Sequence, residues 1–343
     1  NYPSYYLGGG ENVCSSFPSS LPIHQDGSCN GLQHLSAISG DPFAAVASNV
    51  IADDDFHSLV GSNASCDVSS PADVYNMTVT RVVDAMKRKM ADQTGKCQSS
   101  FDYLVHIVDR TVIKRTMLAL MMYGLSDRGA VLQLYRSLVS AIDRRNRSSS
   151  SMKPSVEKST PIILDSDIQL FSRNLTIELI SVINSLFPGT MKCKNALAAW
   201  PKHMQRYGLQ IQWSMPLFNF TVLPYVRTGG MKGASFLPNY IHSLDAAHLH
   251  QTSLKMNKPI TTSENPKTFV AVHDSFVTHA GDVMYMSAAI RDAFIDVHNS
   301  SESHLLCKHA PLASVLLNHT EFMRPSMGAY NLDKVRDSVY FFC

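Results

Sequence analysis

The stretch HQDGSCNGLQHL, residues 24–35, constrains the fold of this chain more tightly than any other. Leu21-Pro22-Ile23 reads as a short strand, and Gly31 to Ile38, with Leu32, Leu35 and Ile38 at helical spacing, reads as a helix. Only Gly27, Ser28, Cys29 and Asn30 separate Asp26 from that helix, so the backbone must turn abruptly from strand to helix. A carboxylate at such a joint can be aimed at a ligand, because small residues let backbone and ligand approach closely. The plainer alternative is that Asp26 merely caps the helix.

A second strand is expected far along the chain. TFVAVHDSFVTHA at 268–280 alternates Phe269, Ala271 and His273 against Val270, Val272 and Asp274. Between the two lies a mainly helical middle. Helices are expected over 69–90, starting at Ser70-Pro71, over 101–122, over 129–144, over 168–200 and over 237–254. LQIQWSMPLFNFTVLPYV at 209–226 alternates and carries prolines, which suggests a hairpin. A sheet split by a long helical insertion gives the class α+β. The Ser-rich basic segment 143–160 reads as a solvated loop or insert.

The 343 residues carry a net charge of only +2, so any nucleic-acid contact must come from local basic patches. Seven cysteines without CxxC spacing argue for reduced thiols rather than a zinc ribbon or disulfide scaffold. The longest apolar run, MLALMMYGL at 117–125, is too short to span a bilayer. The chain opens on Asn1 within a Gly/Ser/Pro-rich loop and reads as a piece of a longer protein.

Three islands bear the marks of chemistry. One holds Asp26. A second, VHDSF, puts Asp274 beside His273 after the second strand. The third, DRTVIKRTMLALMMYGLSDRG at 109–129, sets Arg110 and Lys114 one helical turn apart, with Tyr123 and Gly124 further on. Two carboxylates at strand ends can hold two divalent metals about 3.5–4 Å apart for phosphoryl displacement. Mg2+ suits such an open carboxylate site, and Arg and Lys suit a triphosphate. A histidine metal site drawn from His242, His248, His250, His273 and His279 is a weaker alternative, since the spacing matches no HExxH-like pattern.

In this order the islands resemble the single-subunit RNA polymerases of phage and mitochondrial type, the mitochondrial branch most of all. HQDGSCNGLQH is similar to that family's first metal motif, and FLPNYIHSLDAAHL and VAVHDSFVTHAGDV to its later palm motifs. WSMPLFNFTVLPYVR resembles its Trp–Pro hairpin, and GAYNLDKVRDSVYFFC its C-terminal tail with an aromatic foot. The resemblance implies a right-hand palm, a small antiparallel sheet with helices, over 1–40 and 237–343. It is interrupted by helical fingers over 41–236 with an insert near 145–160. It implies two Mg2+ ions on Asp26, the Gly27 carbonyl and Asp274, and a triphosphate on Arg110 and Lys114. It places Tyr123 and Gly124 at the nascent base pair, His242 at the sugar, and His273 in support of the metal site. Related DNA polymerases carry a glutamate where Gly31 stands, so Gly31 leaves room for a ribose 2′-hydroxyl. DNA template, nascent RNA, ribonucleoside triphosphates and mitochondrial transcription factors are the implied partners. The mitochondrial matrix is the implied location, ahead of plastid or phage.

The pattern departs from the family in two ways. Lys114 and Tyr123 are nine residues apart where relatives have eight, which at about 100° per residue turns them to opposite helix faces. A π-bulge could absorb the extra residue, with Lys114 in place, or Arg115 could take the lysine's role. The family's N-terminal portion, with thumb and promoter-reading elements, is also absent, so this piece alone is not expected to melt a promoter or hold a transcript. Two other readings stand beside an RNA polymerase: a degenerate or truncated copy that binds nucleic acid without catalysis, and a related DNA polymerase.

Overall fold

The computed structural model describes residues 21–52, 71–91, 98–150, 163–206, 233–257, 267–299 and 330–342, with positions 208, 211, 213–215, 217, 218, 221 and 222 between them. Strand β1 (Pro22–Asp26) runs three residues beyond the expected Ile23 and opens on a proline, which an edge strand tolerates. It pairs antiparallel with β5 (Ser275–His279), from Pro22↔His279 to Asp26↔Ser275. β5 pairs in turn with β4 (Val270–Val272), giving a three-stranded sheet in the order β1-β5-β4.

The single strand expected over 268–280 is therefore a hairpin. Val272 faces Ser275 across a two-residue turn made of His273 and Asp274, and His273 takes φ 55, the left-handed region. The flanking β4 is not buried: Val270 is 52% and Val272 62% exposed, whereas Phe276, Val277 and Thr278 of the central strand are buried.

Helix α1 (Asn30–Ser39) follows the first turn, and its N-cap is Cys29 with no side-chain cap bond. Asp26 thus ends a strand and does not cap the helix. Gly40, at φ 63, closes α1 by donating its N–H to the Ser36 carbonyl at 2.8 Å. Asp41 caps the short α2 (Pro42–Ala47), accepting from the Ala44 N–H at 3.2 Å.

The middle of the chain is helical, with shorter units than the sequence suggests. Helix α3 (Val74–Ala91) starts from Asp73, whose carboxylate accepts the N–H groups of Tyr75 at 2.9 Å and Asn76 at 3.1 Å; Ser70 lies outside the described residues. The helix expected over 101–122 is two, α4 (Gln98–Ile107) and α5 (Arg110–Met122). Asp109 breaks the run by accepting the Val112 N–H at 2.9 Å, a cap that the apolar periodicity conceals. The helix expected over 168–200 also divides, into α7 (Asp165–Leu186) and α8 (Pro188–Arg206), because Pro188 has no N–H to continue the ladder and suits a helix start. Before α7, α6 (Asp127–Ser150) extends into the Ser-rich segment expected to be loop; residues 151–162 lie outside the described residues.

Short strands β2 (Trp213–Ser214) and β3 (Thr221–Val222) form the expected hairpin. Helices α9 (Gly233–Met256) and α10 (Val283–Asn299) flank the β4–β5 hairpin in sequence. The acidic run 53–55 lies outside the described residues. Trp200 and Trp213 are both buried, as core residues should be.

Two apolar clusters form the core. One joins helices from α1 to α9, and the other joins parts of α1 and α2 with β5, α10 and the C-terminal segment with Phe341 and Phe342. Among the described residues no helix is long and apolar enough to cross a membrane. The architecture is α+β: mostly helical, with one small antiparallel sheet.

Candidate active site

Antiparallel pairing fixes the relation of the two aspartates. Asp26 is the Cα partner of Ser275, the residue next to Asp274, so two positions 248 residues apart (274 minus 26) become neighbours. Their charges sense each other. Burial first, and then the negative charge of Asp274, push the Asp26 carboxyl above its ordinary value; a hydrogen bond from the Gly27 backbone and the charge of Lys114 pull it down. Neither carboxylate sits in an ion pair with a described residue.

The first turn is tightly framed. Gly27 forms an isolated antiparallel bridge with Phe342, and a Cβ at Gly27 would lie 3.1 Å from Gln33 Oε1, 3.2 Å from Phe342 Cζ and 3.3 Å from Asn30 Cβ. The buried Gln33 Nε2 donates to the Phe341 carbonyl at 2.8 Å, the Ser48 carbonyl at 3.0 Å and Ser28 Oγ at 3.2 Å. The C-terminal segment is therefore built into the support of Asp26. Arg291 adds to this by donating from Nη2 to the Ser338 carbonyl at 2.7 Å.

Lys114 faces this site. It and Arg110, one turn earlier on α5, both stand 5.1 Å from the centroid of the Tyr75 ring, and the Tyr75 hydroxyl lies 3.4 Å from Cys29 Sγ beside the aspartate turn. Arg110 is also engaged elsewhere, pairing with Asp73 at 3.0 Å. Arg115 is exposed on the next position around the helix, and the cation whose field reaches Asp26 is Lys114.

The nine-residue spacing is accommodated without the expected π-bulge. Helix α5 is α-helical from Arg110 to Met122, and Tyr123 is its C-cap, with φ −111 and ψ 10. The N–H groups of Tyr123 (3.1 Å) and Leu125 (3.0 Å) both close on the Ala119 carbonyl, and Gly124 takes φ 60. A residue that has left the helix is not bound by its 100° step, so Tyr123 is free to turn inward.

It turns toward α9. The rings of Tyr123 and His242 lie 6.2 Å apart, and both line a pocket of about 210 Å3 shared with Gly31, Asn30, Met122, Asp245, His273 and Asp274. A Cβ at Gly31 would meet Met122 Cε at 2.9 Å, so the glycine keeps this wall flat. Asp26, Asp274, Lys114, Gly27, Gly31, Tyr123, His242 and His273 are thus brought to one region, while Arg110 is held by Asp73 at its side and Arg115 is exposed. Gly124 shapes the turn that presents Tyr123.

The five-histidine metal site does not form. His248 is wholly buried with Nε2 donating to the Ile290 carbonyl at 2.9 Å, and His250 packs on Phe218 at 5.6 Å. Among the described residues no three His, Cys, Asp or Glu side chains converge on a metal-sized point. What is present is an open pair of oxygen donors, Asp26 and Asp274, which suits a hard cation that keeps part of its water rather than a closed cage.

Sequence reasoning missed Asp245. It accepts a hydrogen bond from Asn30 Nδ2 at 2.6 Å and lines the pocket three residues after His242. Burial first, then Asp274, raise its carboxyl above the usual value; Asn30, His242 and His273 oppose this. The signal was available in HSLD, which puts His242 and Asp245 on one face of a helix.

The chain is similar to known proteins along most of its length. A family model described as DNA-dependent RNA polymerase matches residues 11–217 and 226–310. The chain is 27% identical, over 94% of its length and 30% of the relative's, to "DNA-directed RNA polymerase 1, mitochondrial" of Nicotiana sylvestris. It is 27% identical to the mitochondrial DNA-directed RNA polymerase of Homo sapiens, over 96% of this chain and 26% of that one. A third relative, "DNA-directed RNA polymerase 3, chloroplastic" of Nicotiana sylvestris, is 27% identical over 94% of this chain and 31% of its own length. The chain spans roughly a third or less of these relatives. With a family model covering most of the sequence and the motif residues gathered around one pocket, the chain belongs to the DNA-dependent RNA polymerase family.

Proposed function

We propose that this chain is the catalytic region of a DNA-directed RNA polymerase, which transfers ribonucleotides to a growing transcript under the direction of a DNA template. The observation that carries the reading is the adjacency of Asp26 and Asp274 across the β1–β5 register, beside Lys114 and a pocket walled by Tyr123 and His242. The sheet with α1, α9 and α10 is the palm, and the helices from α2 to α8 with the β2–β3 hairpin are the fingers. The palm resumes at the start of α9, because a boundary at 236 would cut that helix.

Asp26, Asp274 and the Gly27 carbonyl hold the metal site. Two Mg2+ ions bound there would neutralise charge on the attacking and leaving oxygens of the phosphoryl displacement. Two neighbouring carboxylates without ion-pair partners among the described residues fit such a cation, since binding it relieves their mutual repulsion. Lys114 directs its charge to the triphosphate that ends at this pair, and Arg110 contributes from the far side of Tyr75. His273 props the turn that carries Asp274. Gly31 leaves the sugar room, and Tyr123 and His242 offer polar groups toward its 2′-hydroxyl. A buried site that hydrogen-bonds a hydroxyl rejects the analogue lacking it, because its own groups are then left unpaired. Gly31 is the feature that disfavours a DNA polymerase.

Organellar transcription is the setting the relatives' names support, and the mitochondrion is the reading we carry, with a plastid as its rival. DNA, nascent RNA, ribonucleoside triphosphates, the rest of the polymerase and mitochondrial transcription factors are the partners.

The test uses the longest natural polypeptide carrying these residues on a preformed RNA–DNA scaffold. Asp26→Asn or Asp274→Asn removes Mg2+-dependent nucleotide addition while scaffold binding persists; wild-type-like rates in either variant reject the two-metal site. A natural polypeptide that binds the scaffold yet adds no nucleotide is instead the degenerate copy, to which the engagement of Arg110 by Asp73 lends some support. Preference for deoxynucleotides makes it a DNA polymerase.

A further inference from the structure

The metal pair and the sugar-facing residues leave one charged side chain of the pocket without a role. Asp245 sits on α9, three residues after His242, so the two share a helix face and the same pocket wall. Its Oδ1 is bound at 2.6 Å by Nδ2 of Asn30, the first residue of α1 and the immediate neighbour of Gly31. This bond joins the helix that follows the first catalytic aspartate to the helix that carries His242. Beyond His242 the wall continues to Tyr123, whose ring is 6.2 Å from the imidazole.

Resting on the polymerase reading above, we propose that the Asn30–Asp245 bond is a ribose-selecting clamp. Asp245 is a positioning residue that acts through His242, and Asn30 holds it in place. The clamp sets the gap between Gly31, where the sugar needs space, and His242, which must reach its 2′-hydroxyl. The Asp245 carboxylate also lies near enough on the same helix face for its charge and that of His242 to act on one another. Asp245 is a costly choice for packing alone: it stands in a wall with Asp274, where burial and like charge oppose its ionisation. A neutral residue would fill the same space without that repulsion.

Asn30 carries the second clue. Its own Oδ1 is buried and has no hydrogen-bond partner among the described residues, while its Nδ2 is committed to Asp245.

The clamp predicts a change in selectivity, which loss of packing does not. The measurement is the ratio of kcat/KM for ATP over dATP in single-nucleotide addition by the longest natural polypeptide. Asn30→Ala and Asp245→Ala each lower that ratio at least tenfold, by slowing ribonucleotide addition more than deoxyribonucleotide addition. The double replacement Asn30→Asp with Asp245→Asn re-forms the donor–acceptor pair in the opposite sense and restores at least half of the lost discrimination on a logarithmic scale. Asp245→Asn alone serves as the reference should either alanine variant fail to fold; it keeps an oxygen that can accept from Asn30 but removes the negative charge beside His242, and it lowers the ratio less than the alanine variants do. Equal losses on both nucleotides, or a ratio within twofold of wild type in every variant, overturn the clamp while leaving the polymerase reading intact. A wild-type polypeptide that adds neither nucleotide overturns that reading, and the clamp with it.

Discussion

Asp26 and Asp274 reach the same site on unlike supports. Asp26 stands at a joint fixed from several sides, by the Gly27–Phe342 bridge, by the triple donation of Gln33, and by atoms crowding the missing Cβ of Gly27. Asp274 stands in a two-residue hairpin turn whose first member, His273, occupies the left-handed φ region at which glycine is favoured, beside an exposed edge strand. One aspartate is held by packing and hydrogen bonds, the other by a strained turn. The contrast teaches that a pair of carboxylates needs only one deeply anchored member when a register of paired strands carries the other to it.

The contrast can be tested by loosening each support in turn. Gln33→Ala should act most strongly, leaving the Phe341 and Ser48 carbonyls without their donor in a buried place. A loss of about 3 kcal/mol in chemical unfolding, together with release of the C-terminal segment to protease, is expected. An unchanged unfolding midpoint would mean that the first support is not anchored as described.

Gly27→Ala comes next. Its Cβ would press on Gln33, Phe342 and Asn30, and overpacking of this kind costs about 2 kcal/mol. Mg2+-dependent addition should fall further than stability accounts for, since Asp26 is displaced with its neighbour.

Acid should weaken the Asp26 side before the Asp274 side. Behind the first joint lie His34 on α1, His248 on α9 and His298 on α10, with His34 Nδ1 and His298 Nε2 2.9 Å apart among the rings of Phe276, Phe294, Phe341 and Phe342. Burial holds all three below the usual histidine range, His248 at about 4 and His298 at about 3. Below the unfolded value near 6.5 the unfolded chain takes up protons that the folded chain does not, so stability is complete above that pH and declines as pH falls. The decline approaches about 1.4 kcal/mol per pH unit for each fully buried histidine. Hydrogen exchange at pH 5.5 should therefore open α1 and the C-terminal segment first; uniform opening would contradict the assignment.

His273→Gly should have the smallest effect on stability and the opposite sign. Relief of the left-handed backbone should raise stability by about 1 kcal/mol, while nucleotide addition falls because the imidazole is gone. A destabilised glycine variant would show that the turn is not strained.

Much of the fold was readable along the chain, and the reasons lie in particular residues. The strand–turn–helix at Asp26 was visible because apolar spacing switches period across a run of small residues. Helix breaks at Asp109 and Pro188 were missed because apolar periodicity runs on through both, and a cap is a local hydrogen bond that the period does not register. The hairpin turn at His273 was missed because its sequence lacks glycine; the residue adopts the backbone at a cost that only surrounding pairing sustains. Similarly, the spacing of Lys114 and Tyr123 suggested a π-bulge because a helix was assumed to run to the tyrosine, whereas it ends there.

The order of residues settled the kinds of element, the chemical types present and the family, since periodicity, small-residue turns and motif spacing are properties of the chain read in one dimension. Partnership was another matter. That Asp26 meets Asp274, that Arg110 is taken by Asp73, that Asn30 grips Asp245 and that Phe342 lies under Gly27 all depend on strand register and helix docking. These contacts join residues far apart along the chain, and no local rule of backbone or side chain specifies them before the core has packed.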